Sequence, residues 1–189
     1  MNNNIHYITQ VHRYRVLSGE PLGSGSRADH DAHISGIMSS LDRVLSSRTM
    51  EDVAEALAEM VILAAGYKLD AGQYPLITPE EIFEKAEFFA DTFGINLLEA
   101  FDKVHASRMS AFVIGMDEMN ETVAKYKEQG IEITTKTVET MGPISTFAVY
   151  AAYDGKHPAG TLLPGSRFVP VDWSVGEWRK YPQKPAPKE

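Results

Sequence analysis

Apolar residues recur at helical spacing through the first 110 positions of the chain and change to strand-like alternation afterwards. The mixed segment from Asn2 to Leu17 predicts a short helix, and SGEPLGSGS after it has the Gly, Pro and Ser chemistry of a loop. In RADHDAHISGIMSSLDRVLSSR, Ile34, Ile37, Met38, Leu41, Val44 and Leu45 mark an amphipathic helix ending near Ser46. A further helix opens at the N-cap Thr49, with Asp52 three residues on, and Gly66 or Gly72 is expected to close it. Thr78-Pro79-Glu80-Glu81 carries an N-cap, an N1 proline and first-turn acids, and the helix it starts runs to Gly94. From Asn96, LLEAFDKVHASRM predicts a helix with Leu97, Phe101, Val104 and His105 on one side.

Beyond Met109 the character changes. DEMNETVAKYKEQG reads as a polar surface helix closed by Gly130. The runs IEITTKTVE and STFAVYAAY are rich in β-branched and aromatic residues and predict a hairpin around Met141-Gly142-Pro143. Past Val175, PQKPAPKE has a proline-rich, charged composition that favours disorder. The expectation is a mainly α protein: a helical bundle over 1–110, a helix and β-hairpin insertion over 111–152, a segment packing back on the bundle over 153–175, and a tail over 176–189.

Composition narrows the function classes. The 189 residues are 43% hydrophobic and 23% charged, which fits one soluble domain with an appendage. A net charge of −8 argues against a nucleic-acid binder, because that class displaces counterions with a face of Lys and Arg. The absence of cysteine excludes disulfides and thiolate metal sites, and points to a reducing compartment. MNNNIHYITQ has no apolar leader core, and no stretch reaches the roughly 18 apolar residues of a membrane span. The expected location is cytoplasmic, with no membrane partner.

The chemistry concentrates in the third helix. From Ala54 to Tyr67 it is apolar at every position except Glu55 and Glu59. At 100° per residue, Asp52, Glu55 and Glu59 fall within about a 60° arc beside Ala56 and Leu63. Clustered carboxylates at a buried face repel one another and are stabilised by a divalent cation or by basic partners. Two resolutions follow from the residues. Either a metal binds Asp52, Glu55 and Glu59, or the acids pair with Arg43, Arg48 or a second subunit's arginines, or reach water.

With two later segments, this helix resembles the all-α nucleoside triphosphate pyrophosphohydrolases, which include MazG-like proteins and phosphoribosyl-ATP pyrophosphohydrolase. DVAEALAEMVILAAGYKLDAG is similar to the family's second metal helix, FGINLLEAFDKVHASRMS to a conserved Val-His-x-Ser segment, and YDGKHPAGTLLPGSRFVPVDW to the Asp-Gly-Lys and Pro-Asp ending. The resemblance implies an antiparallel helical bundle that forms a homodimer or homotetramer around Mg²⁺, with Mn²⁺ as an alternative. A metal-activated water would cleave a nucleotide substrate to a monophosphate and pyrophosphate. In that scheme Asp52, Glu55 and Glu59 hold the metal and Asp52 and Glu55 are the catalytic pair. Arg108 and Lys156 would contact phosphate.

This chain departs from the family pattern where the first metal helix carries Glu-Glu-x-x-Glu, since ungapped counting puts Gly36, Ile37 and Ser40 there. In VHASRMS the family's asparagine is Arg108 and its lysine is Ala111. His30 and His33, or Glu81 and Glu84 with Glu87, are the residues that would have to complete a metal site. Without them the chain is a degenerate member that binds a nucleotide or a partner, or a structural module whose 111–150 insertion is the working surface.

Overall fold

The computed structural model describes residues 3–20, 26–70, 78–141, 144–152 and 157–180. Among these residues it is mainly helical with a small antiparallel sheet. The elements are α1 (Asn3–Ser18), α2 (Arg27–Ser46), α3 (Met50–Asp70), α4 (Pro79–Phe93), α5 (Leu97–Met109), β1 (Val113–Ile114), α6 (Gly115–Glu128), β2 (Ile133–Met141), β3 (Ile144–Ala151) and β4 (Leu162–Leu163). Contacts divide the chain into two units: one takes the residues up to His12, Gly23–Val104 and those from Asp172 on, the other Arg13–Leu22 and His105–Val171. The residues before 23 are shared between the units, and the segment after Asp172 belongs with the first.

The first unit is organised by α3. Val53, Ala54, Leu57, Ala58, Val61, Ala64 and Ala65 are all buried, so this helix is apolar nearly all round because neighbours cover nearly all of it. It does not stop at Gly66, which is buried in mid-helix, and Gly72 lies outside the described residues. The small Ala and Gly side chains allow close approach to α2 and α4, which both pack on α3. At α2, a Cβ on Gly36 would lie 3.2 Å from Leu63 Cδ1. Tyr7 of α1 closes the other side, with its ring 4.7 Å from that of Phe101 and 5.9 Å from that of Phe83.

Helix ends follow local chemistry. Thr78 Oγ1 accepts from the Glu81 backbone N–H while the Glu81 carboxylate accepts from that of Thr78, so the predicted N-cap is one half of a reciprocal capping box. Gly94 ends α4 at φ 68°, a left-handed conformation that glycine adopts without steric cost. Ser26 caps α2 through the Asp29 N–H.

In the second unit β3 is central. β2 pairs along one edge, and β1 and β4 share the other. Val113, Val149 and Leu163 pack on one side against Met119 and Tyr126 of α6. On the other side Ala148 packs with Phe112 and with Leu17 of α1, with Tyr14, Val138 and Tyr150 around them. A bulge between Thr137 and Glu139 leaves Val138 as the extra residue of β2. The hairpin is as predicted, with Gly142 and Pro143 of its turn outside the described residues.

Candidate functional site

The α2–α3 pair places the predicted acids. Gly36 against Leu63, Arg43 against Glu55 and His30 against Tyr67 show that the two helices run in opposite directions with the short Ser47–Thr49 link between them. Asp52 is exposed in the first turn of α3, its N–H donated to Thr49 Oγ1. Glu55 and Glu59 are half-buried at the edge of the covered face. Glu55 Oε1 lies 3.6 Å from Arg43 Nη2, and both side chains are close to half exposed.

That ion pair answers the carboxylate question for Glu55, since α2 meets it with a guanidinium. At the α2 positions where the resemblance calls for acids, Gly36 packs on Leu63, and Ile37 and Ser40 are buried. Among the described residues, no three His, Asp or Glu side chains come together in a way that could hold a metal ion. The donor set on this helix pair therefore does not fit Mg²⁺ or Mn²⁺. The reason is electrostatic: the Arg43 guanidinium beside Glu55 disfavours a second cation there, and Gly36, Ile37 and Ser40 offer no carboxylate opposite the row of acids.

The candidate completions of the metal site are used otherwise. His33 Nε2 lies 2.7 Å from Asp70 Oδ2, and the Tyr67 hydroxyl 2.7 Å from His30 Nδ1, so both histidines tie α2 to the last turns of α3. Asp70 is only 8% exposed, and burial raises the Tyr67 hydroxyl above its ordinary value. Glu81 is spent on its capping box and Glu84 is exposed. Glu87 accepts from Asn3 and from the Tyr7 hydroxyl, which burial and that carboxylate push up.

The two later matched segments meet each other. Ser107 Oγ donates to the Val169 carbonyl at 2.8 Å, and Ser110 Oγ accepts from the Val169 N–H at 2.9 Å. The serines of VHASRMS thus anchor the RFVPV loop. Arg108 between them is half-buried, and Lys156 lies outside the described residues.

A pocket unforeseen from the sequence lies in the first unit. Its volume is about 870 Å³, and Glu51, Asn96, Trp173, Glu177, Trp178 and Arg179 contribute to its lining. The sequence places these last residues in or beside a tail; the structure instead buries Trp178, which is 3% exposed. Hydrogen bonds hold the segment. The Asn96 N–H donates to the Trp178 carbonyl and the Lys180 N–H to that of Gly94, each at 2.7 Å, Lys103 Nζ donates to the Asp172 carbonyl, and Trp178 Nε1 to that of Trp173. Gly176 stands at φ 90°, a backbone conformation that favours glycine, and a Cβ there would lie 2.7 Å from Glu99 Oε1, which would have to shift.

Within the pocket, the Arg179 guanidinium sits 4.5 Å from the Trp178 ring centroid and donates to Glu51 Oε1 at 2.5 Å. The two indoles meet edge to face at 5.1 Å. The available signal was the composition of the tail, because both tryptophans of the chain stand there, close to its charged end. Compared with known proteins, the chain matches no family model, no curated protein and no solved structure.

Proposed function

We propose that the chain is a binding protein with the antiparallel helical frame of the nucleotide pyrophosphohydrolases and without their metal-assisted hydrolysis. The observation that carries this reading is the Arg43–Glu55 ion pair, which sets a cation of the protein's own against one of the carboxylates that a divalent ion would need. Support for the frame comes from the anchoring of Val169 by Ser107 and Ser110, which joins two matched segments far apart in the chain. The ligand of this reading is a nucleotide or a partner, bound without turnover.

A second reading keeps the hydrolase. Asp52, Glu55 and Glu59 still share one face of α3 with their carboxylates exposed or half-buried, and in a homodimer or homotetramer another copy would have to supply the acids that α2 lacks. The deciding experiment is pyrophosphate release from a panel of ribo- and deoxyribonucleoside triphosphates with 5 to 10 mM Mg²⁺ or Mn²⁺, on the order of typical assay conditions. The expected result is no release above the uncatalysed background. Metal-dependent release that disappears in Glu55→Gln/Glu59→Gln would establish the hydrolase instead.

A further inference from the structure

The pocket formed by the segment from Trp173 to Lys180 contains one completed recognition unit. The Arg179 guanidinium carbon lies 4.5 Å from the Trp178 ring centroid while Glu51 takes the guanidinium at 2.5 Å, so an aromatic ring and a carboxylate hold one cation between them. The attraction has two parts: the negative face of the indole and the charge of the carboxylate both favour a weakly hydrated cation. A second aromatic and a second carboxylate line the same pocket. Trp173 is half-buried, and Glu177 is exposed and makes no ion pair among the described residues.

The charge balance of the pocket favours the same class of ligand. Of its two cations, Arg179 is paired with Glu51 and Lys180 with Asp91. Glu177 is the carboxylate left without a counter-charge, in a chain whose net charge is −8. The charges of Arg179 and Lys180 are already offset by Glu51 and Asp91, so an anionic ligand would compete with those carboxylates for them. A cation at Glu177 would displace no ion-pair partner. The backbone bonds of Trp178 to Asn96 and of Lys180 to Gly94 hold this wall in place before any ligand arrives, which lowers the ordering cost of binding.

We propose that this pocket binds an alkylammonium or guanidinium group, on Trp173 and Glu177, as its own Arg179 is bound on Trp178 and Glu51. The inference rests on the binding reading above and names the ligand chemistry of one site for it. The group can come from a free polyamine or arginine derivative, or from a Lys or Arg side chain of a partner.

The test uses the full-length protein and its own fluorescence, because Trp173 and Trp178 are the only tryptophans of the chain and both line the pocket. Emission is followed on titration with arginine methyl ester, with spermidine and with a short Arg- and Lys-rich peptide lacking aromatic residues, each at constant ionic strength, with NaCl as the blank. The expected result is a saturable change in intensity or wavelength with at least one of these probes. In Glu177→Gln the midpoint should rise about three- to fivefold, the effect of losing one exposed charge contact. In Trp173→Phe the midpoint, followed through Trp178, should rise less.

A response to the small cations identifies a free-ligand site, and a response to the peptide alone identifies a partner's side chain; both support the assignment. No emission change with any probe overturns it, as does an equal midpoint in Glu177→Gln, or a saturable response to ATP in the absence of one to the cations. Its failure is separable from failure of the binding reading, which is decided by pyrophosphate release and does not depend on tryptophan emission.

Discussion

At the scale of single residues, Arg43 decides what the carboxylates of α3 can do. Its guanidinium reaches Glu55 from a half-exposed position on α2, where solvent screening leaves such a pair worth about 0–1 kcal/mol. The pair is therefore a weak source of stability and a strong determinant of local charge. Arg43→Glu should alter the melting temperature little in metal-free buffer, and should add a Mn²⁺-dependent stabilisation that the unmodified protein lacks, because acids would then face each other across two helices. Thermal unfolding with and without Mn²⁺ measures both effects. Arg43 was among the partners that the sequence offered for these acids, because an arginine close before the link is within reach of an acid close after it. The His33–Asp70 contact was not foreseen. It follows from counting outward along both helices from their link, but only once α3 is known to run through Gly66 to Asp70, and a glycine in mid-helix reads locally as a stop.

At the scale of elements, α2 shows how one periodic pattern can contain two stripes. Ile37, Ser40 and Val44 are buried, whereas Met38 and Leu45 are 50% and 67% exposed. At 100° per residue the stripe Ile34, Met38, Leu41 and Leu45 lies about a quarter turn from the buried one. The sequence merges them, because apolar residues three, four and seven apart are expected on one covered face. Neighbouring substitutions separate the two: Val44→Ala should cost roughly 2 kcal/mol by loss of buried methyls, and Leu45→Ala should stay within about 0.5 kcal/mol of wild type. Urea unfolding of the two variants measures the difference. The same contrast explains which elements were legible. The Thr78 N-cap, the Gly94 stop and the β2–β3 hairpin depend on neighbours in sequence and appear where predicted. The two-residue strands β1 and β4 exist only because β3 offers an edge to pair with, and a two-residue run has no period to read. The segment around Trp178 is held by backbone bonds to Gly94 and Asn96, more than 80 positions earlier, and no local pattern encodes that.

At the scale of the whole molecule, the surplus of acids and the way they are dispersed make opposite demands on a divalent cation. A net charge of −8 attracts Mg²⁺ and Mn²⁺ to the surface in general, yet such attraction is screened over about 8–10 Å at physiological salt and distinguishes the native chain little from the unfolded one. Stabilisation requires a site that exists only when the chain is folded. A bound ion at 100 times its dissociation constant would add about 2.7 kcal/mol, equivalent to a rise in melting temperature on the order of 5–10 °C for a chain of this size. With Glu55 held by Arg43, with Gly36, Ile37 and Ser40 supplying no carboxylate from α2, and with His33 turned to Asp70, no folded-state site of that kind is assembled from the described residues. Dialysis against EDTA followed by addition of millimolar Mg²⁺ or Mn²⁺ should therefore leave the melting temperature within about 1 °C of its starting value. A rise of several degrees, removed by Glu55→Gln or Glu59→Gln, would mean that the acids converge on an ion in solution and would return the chain to the hydrolases. An unchanged melting temperature together with a saturable tryptophan response to arginine methyl ester would place its ligand recognition at Trp173 and Glu177, away from the face that the sequence makes most conspicuous.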